Sequence, residues 1–134
     1  MWKPSRRALI LGMVSVVVVT IIGFGVYIAQ PTPGHVTIVN RTSENLKTVD
    51  VQIYDRVYRL GSLAPERSAA FDFSIRGDGD YNVMIEFESG KTLNQHLGYF
   101  THGIESTDTI SVSNNDIQMT EQKIKPSLQG IFDN

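Results

Sequence analysis

An uncharged stretch, residues 8–29, constrains this chain more than any other feature of its sequence. Three cations (Lys3, Arg6 and Arg7) precede it, and no charged residue follows until Arg41. At about 1.5 Å per residue, a helix of this length measures about 33 Å, whereas the hydrocarbon core of a bilayer is about 30 Å thick. We therefore expect a single-pass transmembrane helix with its cationic end in the cytoplasm and the remaining chain on the outer side.

A cleaved secretory signal peptide is the alternative interpretation of this stretch. Such signals carry an apolar segment of about 7–15 residues followed by a small-x-small cleavage site. The stretch here is longer, and its end, Tyr27-Ile28-Ala29, places a bulky ring where a small residue is wanted. Gly23-Phe24-Gly25 would satisfy the rule, so cleavage stays open, but the length favours an uncleaved signal anchor. The chain has no cysteine, which excludes lipid attachment at a processed cysteine.

Small residues recur at a spacing of four inside the stretch. The pairs are Ala8 with Gly12 and Gly25 with Ala29. Small residues at this spacing let two helix backbones approach closely. These four residues are thus the predicted face for packing against another membrane helix. The alternative is that they have no packing role, because Gly and Ala are common in membrane spans.

The composition of the outer part limits the class of protein. About 100 residues follow the anchor, enough for one small domain. All 14 acidic residues lie in this part, together with nine of the 12 basic ones, which gives it a formal charge of −5. An acidic domain is not expected to bind nucleic acid or anionic headgroups through bulk charge. An exported domain without disulfides suits a bacterial periplasm, so we expect a bacterial inner-membrane protein with a periplasmic domain.

Short strands with alternating apolar residues dominate the outer part, and turn residues separate them at intervals of about ten residues. The alternation predicts an all-β fold: an antiparallel Ig-like or transthyretin-like sandwich of about seven strands. Phe71, Phe73, Val83, Ile85 and Phe87 are expected to be buried, and Leu93, Leu97 and Tyr99 to face inward. The predicted strands are 35–40, 48–54, 57–60, 71–75, 81–88, 91–100 and 108–113, with a turn at Asp55-Arg56. The predicted domain boundaries are 1–7 (basic segment), 8–29 (anchor), 30–34 (Pro/Gly linker), 35–113 (sandwich) and 114–134 (polar tail).

Residues 49–66, V-D-V-Q-I-Y-D-R-V-Y-R-L-G-S-L-A-P-E, and the later Leu97-Gly98-Tyr99 carry a resemblance to a group of bacterial proteins. They resemble small exported β-sandwich proteins that bear a single span or a signal and have no assigned function. The similarity extends over about residues 36–113 and consists of turn residues and core alternation. It implies the fold and the compartment, and it implies no catalytic residue.

No catalytic, cofactor or metal site is predicted. His96 and His102 lie six residues apart at a strand end and His35 is distant, which does not define a zinc site. Gly77-Asp78-Gly79-Asp80 lacks the continuation of a calcium-binding loop and is interpreted as a turn. The chain has neither a cysteine nucleophile nor a G-x-S-x-G string, so we do not expect an enzyme. Asn40-Arg41-Thr42 is a formal glycosylation sequon, relevant only in a eukaryote.

The last residues supply the predicted partner-binding element. Ile117 and Met119 suit a short edge strand, and Pro126 then suits the first turn of a helix. Leu128, Ile131 and Phe132 follow at i, i+3 and i+4, which aligns them on one helical face. Such a segment is expected to order against a groove on a partner, whereas a functionless terminus is the plainer interpretation.

The functional hypothesis is a membrane-anchored, non-catalytic interaction module that serves as an accessory or assembly subunit of an envelope complex. Its expected contacts are the bilayer, through residues 8–29, and a protein in or near the membrane. The alternative is a periplasmic immunity or inhibitor protein directed against a toxin or enzyme, and its discriminating feature would be a toxin gene next door. A small hydrolase is the third class and would require a pocket with convergent polar groups.

Overall fold

The computed structural model describes residues 6–28 and 31–126, which contain one helix and eight strands. The chain divides into two compact units, residues 1–30 and 31–134. The division falls at the predicted Pro/Gly linker. The elements are α1 (Arg6–Ile28), β1 (Thr32–Asn40), β2 (Leu46–Ile53), β3 (Arg56–Arg59), β4 (Ser68–Ile75), β5 (Gly79–Phe87), β6 (Thr92–Phe100), β7 (Ile104–Val112) and β8 (Ile117–Pro126).

The helix α1 covers almost all of the uncharged stretch. Its side chains are described at Ile10 and at 12–23, and the large apolar ones among them are exposed. Among the described residues, no helix is long and apolar enough to cross a membrane. Of the predicted small-residue face, only the surroundings of Gly12 are described, and a Cβ there would meet no atom within 4 Å. The surroundings of Ala8 and Gly25 are not described, and Ala29 lies outside the described residues.

The second unit is a sandwich of two four-stranded sheets. Sheet A has the strand order β4-β1-β7-β8, and sheet B has the order β3-β2-β5-β6. All seven predicted strands are present, and the β2–β3 hairpin is confirmed. The turn of this hairpin is Tyr54-Asp55 and not Asp55-Arg56, because Ile53 pairs with Arg56.

Three features of the sandwich differ from the prediction. First, β1 and β7 pair in parallel, Val36 opposite Asp108, so sheet A is mixed and not purely antiparallel. Second, the short edge strand expected at Ile117 and Met119 is present as β8 but is longer, pairing with β7 from Ile117 to Pro126, so that Pro126 lies in a strand and not in the first turn of a helix. The predicted polar tail 114–134 is therefore part of the sandwich as far as Pro126. Third, β1 begins at Thr32, within the predicted linker.

The core lies between the two sheets and follows the predicted alternation closely. Phe73, Val83, Ile85 and Phe87 are buried as expected. Other fully buried apolar side chains include those of Tyr81, Ile38, Leu46, Ile53, Ile75, Ile110, Ile117, Val36, Val49, Val51 and Val112.

Two aromatic residues depart from the predicted burial. Phe71, in the edge strand β4, is only half-buried, and its ring stacks on that of Tyr58 in β3. Tyr99 is 60% exposed, although its position suggested an inward side chain. Gly98 precedes it with φ of +73°, and the pairing of β5 with β6 shifts register between Gly79 and Tyr81. This irregularity removes Tyr99 from the alternation by which Leu93 and Leu97, both partly buried, pack against the core.

Asn40 ends β1 and is completely buried. Its Nδ2 donates hydrogen bonds to the backbone oxygens of Glu44 (3.0 Å) and Leu63 (2.9 Å), and its Oδ1 accepts one from the N–H of Thr42 (2.9 Å). These three bonds hold the loops on both sides of the strand end. The amide of the formal sequon is thus a structural clamp, with both of its N–H groups engaged.

Candidate functional site

The two sides of the sandwich differ in how their edge strands meet. On one side β6 and β8 lie together, and the Nε2 of Gln122 donates a hydrogen bond to the backbone oxygen of Tyr99 at 2.9 Å. On the other side the edges are β3 and β4, which the rings of Tyr58 and Phe71 bridge by stacking at 4.4 Å. Next to this stack the space between the two edges is open.

A groove of about 330 Å³ occupies this open side. The tip of the β2–β3 hairpin forms one wall, and the second half of β4 with the residue after it forms the other. We call it the β3–β4 groove. Its aromatic and apolar residues lie beside four charged ones, so it offers both contact area and hydrogen-bonding groups. The lining residues are Ile53, Tyr54, Asp55, Arg56, Tyr58, Asp72, Phe73, Ser74 and Arg76.

Tyr54 ties the two walls of the groove together. Its hydroxyl donates to the backbone oxygen of Gly77 (2.6 Å) and accepts from the backbone N–H groups of Arg76 (3.3 Å) and Gly77 (3.2 Å). Its ring meets that of Phe100 edge-on at 5.6 Å. Its φ is +55°, a conformation that bulky residues rarely adopt. Tyr54 is the first of the two residues in the hairpin turn, and turns of this length require a positive φ at that position.

Only some of the charged side chains that line the groove have an ion-pair partner. The carboxylate of Asp72 lies 2.6 Å from the Nδ1 of His35. The guanidinium of Arg56 lies over the ring of Tyr58, 5.0 Å from its centre. Within residues 6–28 and 31–126, neither Arg56 nor Arg76 forms an ion pair. Two guanidinium groups therefore remain available to an anionic ligand at this side of the sandwich.

A buried polar cluster lies in the core, away from this groove. The hydroxyl of Tyr81 donates a hydrogen bond to the carboxylate of Asp108, and the hydroxyl of Ser106 donates to the same carboxylate at 2.9 Å. All three residues are buried. Burial, together with the bond to Asp108, raises the pKa of Tyr81 above its usual range. The cluster is fully enclosed by protein, so we assign it to folding and not to ligand binding.

This cluster predicts a loss of stability in alkali. The pKa of Tyr81 is raised on folding, so its contribution to stability is complete below pH 10 and is lost as the pH rises above 10. The free energy of unfolding should fall there by about 1.4 kcal/mol per pH unit from this residue alone. Urea titrations from pH 9 to 11.5 should show a slope that is shallower by this amount in Tyr81→Phe. Equal slopes in the two proteins would contradict a buried, protonated Tyr81.

The three histidine side chains contact different residues and do not form one site. His35 pairs with Asp72, His96 lies 3.1 Å from Asp80, and His102 contacts the backbone oxygen of Ile75. In the described part of the chain, no group of three metal-ligating side chains occurs.

Asp78, in the predicted turn, is held by neighbouring side chains. It accepts hydrogen bonds from the hydroxyls of Thr101 and Tyr99, and these bonds lower its pKa. The pKa of Tyr99 is raised by the same contact. Asp78 thus fastens the turn to the end of β6, which agrees with a structural role.

The sequence-predicted binding residues and the groove are different parts of the chain. Leu128, Ile131 and Phe132 lie outside the described residues. The residues of the groove were assigned to strands and a turn, not to a site. Only the hairpin signal around Tyr54 pointed toward it, because tight turns often carry exposed functional groups.

Comparison with known proteins shows similarity in structure only. No protein-family model and no curated protein matches the chain. A protein from Eubacterium rectale, solved by NMR, has a TM-score of 0.49 at 21% identity and matches over 65% of this chain and 85% of its own. Two crystal structures named "putative cell adhesion protein", from Bacteroides ovatus and Bacteroides uniformis, have TM-scores of 0.48 and 0.46 at 11% and 8% identity.

Each of these two matches covers 72% of this chain, which spans about half of their length, 45% and 51%. Identities of this size carry no functional residue across, so the function of the β3–β4 groove rests on its own geometry.

Proposed function

We propose that this protein is a non-catalytic interaction module, anchored in a bacterial inner membrane, whose periplasmic sandwich binds a protein partner through its open side. The β3–β4 groove is the observation that carries the proposal. It combines two unpaired guanidinium groups with aromatic residues at an exposed pair of sheet edges. Binding through strand edges and loops is common among such domains.

The proposal of membrane anchoring rests on the uncharged sequence of residues 8–29, since within the described residues no helix meets the length and hydropathy of a membrane span. The apolar side chains described in α1 lie on all sides of the helix and are exposed, for example at Val16, Val17, Val18 and Val19. A helix that is apolar all round is stable in a protein core or in lipid. Tethering would raise the effective concentration of the sandwich toward partners at the membrane without any additional contact.

The orientation of the anchor is testable with reporter fusions in bacteria. Alkaline phosphatase fused after Asn134 should be active, and a cytoplasmic reporter at the same position should be silent, because Lys3, Arg6 and Arg7 hold the N-terminus inside. The protein should resist extraction from membranes by alkaline carbonate. A variant with these three cations changed to glutamate should lose much of the phosphatase activity. An active cytoplasmic reporter in the wild type would refute the proposed compartment.

A further inference from the structure

Four strands form the edges of the two sheets, and three of them carry features that discourage pairing with another chain. β3 has only four residues. β6 is irregular, with a register shift against β5 and a positive φ at Gly98. β8 carries a shift against β7, and it also carries charges at Glu121, Lys123 and Lys125. Short length, bulges and lysines are the usual protections of an exposed edge.

β4 has none of these protections. It pairs with β1 without interruption over eight residues, Ser68 to Ile75. Its sequence, S-A-A-F-D-F-S-I, contains neither lysine, proline nor glycine, and its one charge, Asp72, is engaged by His35. No described strand pairs with its outer side. An unprotected edge of this length is a template for strand addition.

The charges around β4 indicate which strand would fit. Arg67 precedes the strand and Arg76 follows it, and Arg56 lies across the groove. Within the described residues, none of the three forms an ion pair. The edge thus has a small, mostly uncharged centre between two cations, although the whole outer part is acidic.

A second copy of this chain fits this edge poorly. If β4 paired antiparallel with the β4 of another copy over its full length, Arg67 of each copy would lie opposite Arg76 of the other. Like charges directly opposed across a strand pair are destabilising. A strand with acidic residues at its two ends would instead place a carboxylate beside each guanidinium.

We propose that β4 accepts an extended segment of a partner protein as an additional strand, and that the segment carries acidic residues at both ends of a short apolar and small-polar stretch. Its backbone would pair with the free edge of β4. Alternate side chains would point into the β3–β4 groove, toward Tyr58 and Phe73. This inference rests on the proposed function and specifies the chemistry of its partner.

The test uses the full-length protein in non-ionic detergent and synthetic peptides as probes. The first probe is a ten-residue capped peptide with glutamate at both ends and eight alternating valines and threonines between them. The second has lysine at both ends. We expect the glutamate-ended peptide to bind roughly tenfold more tightly at low salt, and the difference to shrink as salt is added. The double variant Arg67→Glu/Arg76→Glu should reverse the preference, and Lys123→Glu on β8 is the matched control that should not.

Strand addition is distinguished from simple charge attraction by N-methylation. Methylating alternate backbone nitrogens of the probe blocks one edge of the added strand. One set of methylations should abolish binding, and the complementary set should leave it intact. Equal effects of the two sets, or the absence of a charge preference, would overturn the inference. These results come from purified protein, so they are independent of the reporter test of orientation and can fail while that test succeeds.

Discussion

Replacing Asn40 by aspartate is expected to destabilise the sandwich by about 3–5 kcal/mol, although the two side chains have the same shape. The Nδ2 of Asn40 donates to two backbone oxygens, those of Glu44 and Leu63, in a site with no solvent exposure. A carboxylate there would place a negative oxygen against both carbonyl groups and leave the charge unpaired. Urea denaturation of residues 31–134 at pH 7 measures the loss.

The pH dependence separates this effect from altered packing. Protonation of the introduced carboxyl removes the charge, so the deficit of Asn40→Asp should decrease as the pH falls from 7 toward 4. Asn114→Asp, in the exposed turn between β7 and β8, is the matched control and should change stability by no more than about 0.5 kcal/mol. A deficit of similar size in both variants would refute the clamp role of Asn40.

Truncating Phe87 to alanine should cost about 3–5 kcal/mol, a large part of the stability of a domain of this size. Phe87 has no solvent exposure and ends β5 opposite Leu46 of β2. Removing its ring leaves a cavity between the two sheets that the surrounding strands can only partly close. Thermal and urea denaturation of residues 31–134 should both show the loss.

Phe71→Ala is the matched control for this prediction. Its ring is half-buried at the edge of sheet A and stacks on Tyr58, so its removal should cost about 1–2 kcal/mol. If Phe87→Ala were as stable as the wild type, the register of β5 would be wrong by one residue, which would turn its inward side chains outward. The protein used must include β8, because a fragment ending at 113 would lack the buried Ile117 and would uncover Ile110.

The alternation of apolar residues determined most of the strands by itself. In β5, Tyr81, Val83, Ile85 and Phe87 alternate with polar residues, and all four are buried. This works because side chains of a strand point alternately to its two faces, so one buried face leaves a period of two in the sequence. The position of the uncharged stretch determined the helix α1 in the same direct way.

Prediction from the sequence failed where the buried residues do not recur at every second position. The sequence of β8 indicated only a short edge strand at Ile117 and Met119, because Ile117 alone among its residues is buried; its extension to Pro126 comes from pairing with β7. The parallel pairing of β1 with β7 joins strands that are far apart in the chain, which no local pattern reports. Tyr99 was misplaced because the irregularity at Gly98 interrupts the period.

The candidate site is decided by tertiary structure alone. Arg56 begins β3 and Arg76 follows β4, twenty residues apart in sequence, and only the packing of sheet A on sheet B brings them to one groove. Gly34 likewise lies in β1 without any local signal, yet a Cβ there would come within 2.5 Å of the ring of Phe73 on β4. Local sequence determined which faces are buried, because burial follows the period of a strand. Which strands lie at the edges, and which charges meet there, followed from pairings between distant segments.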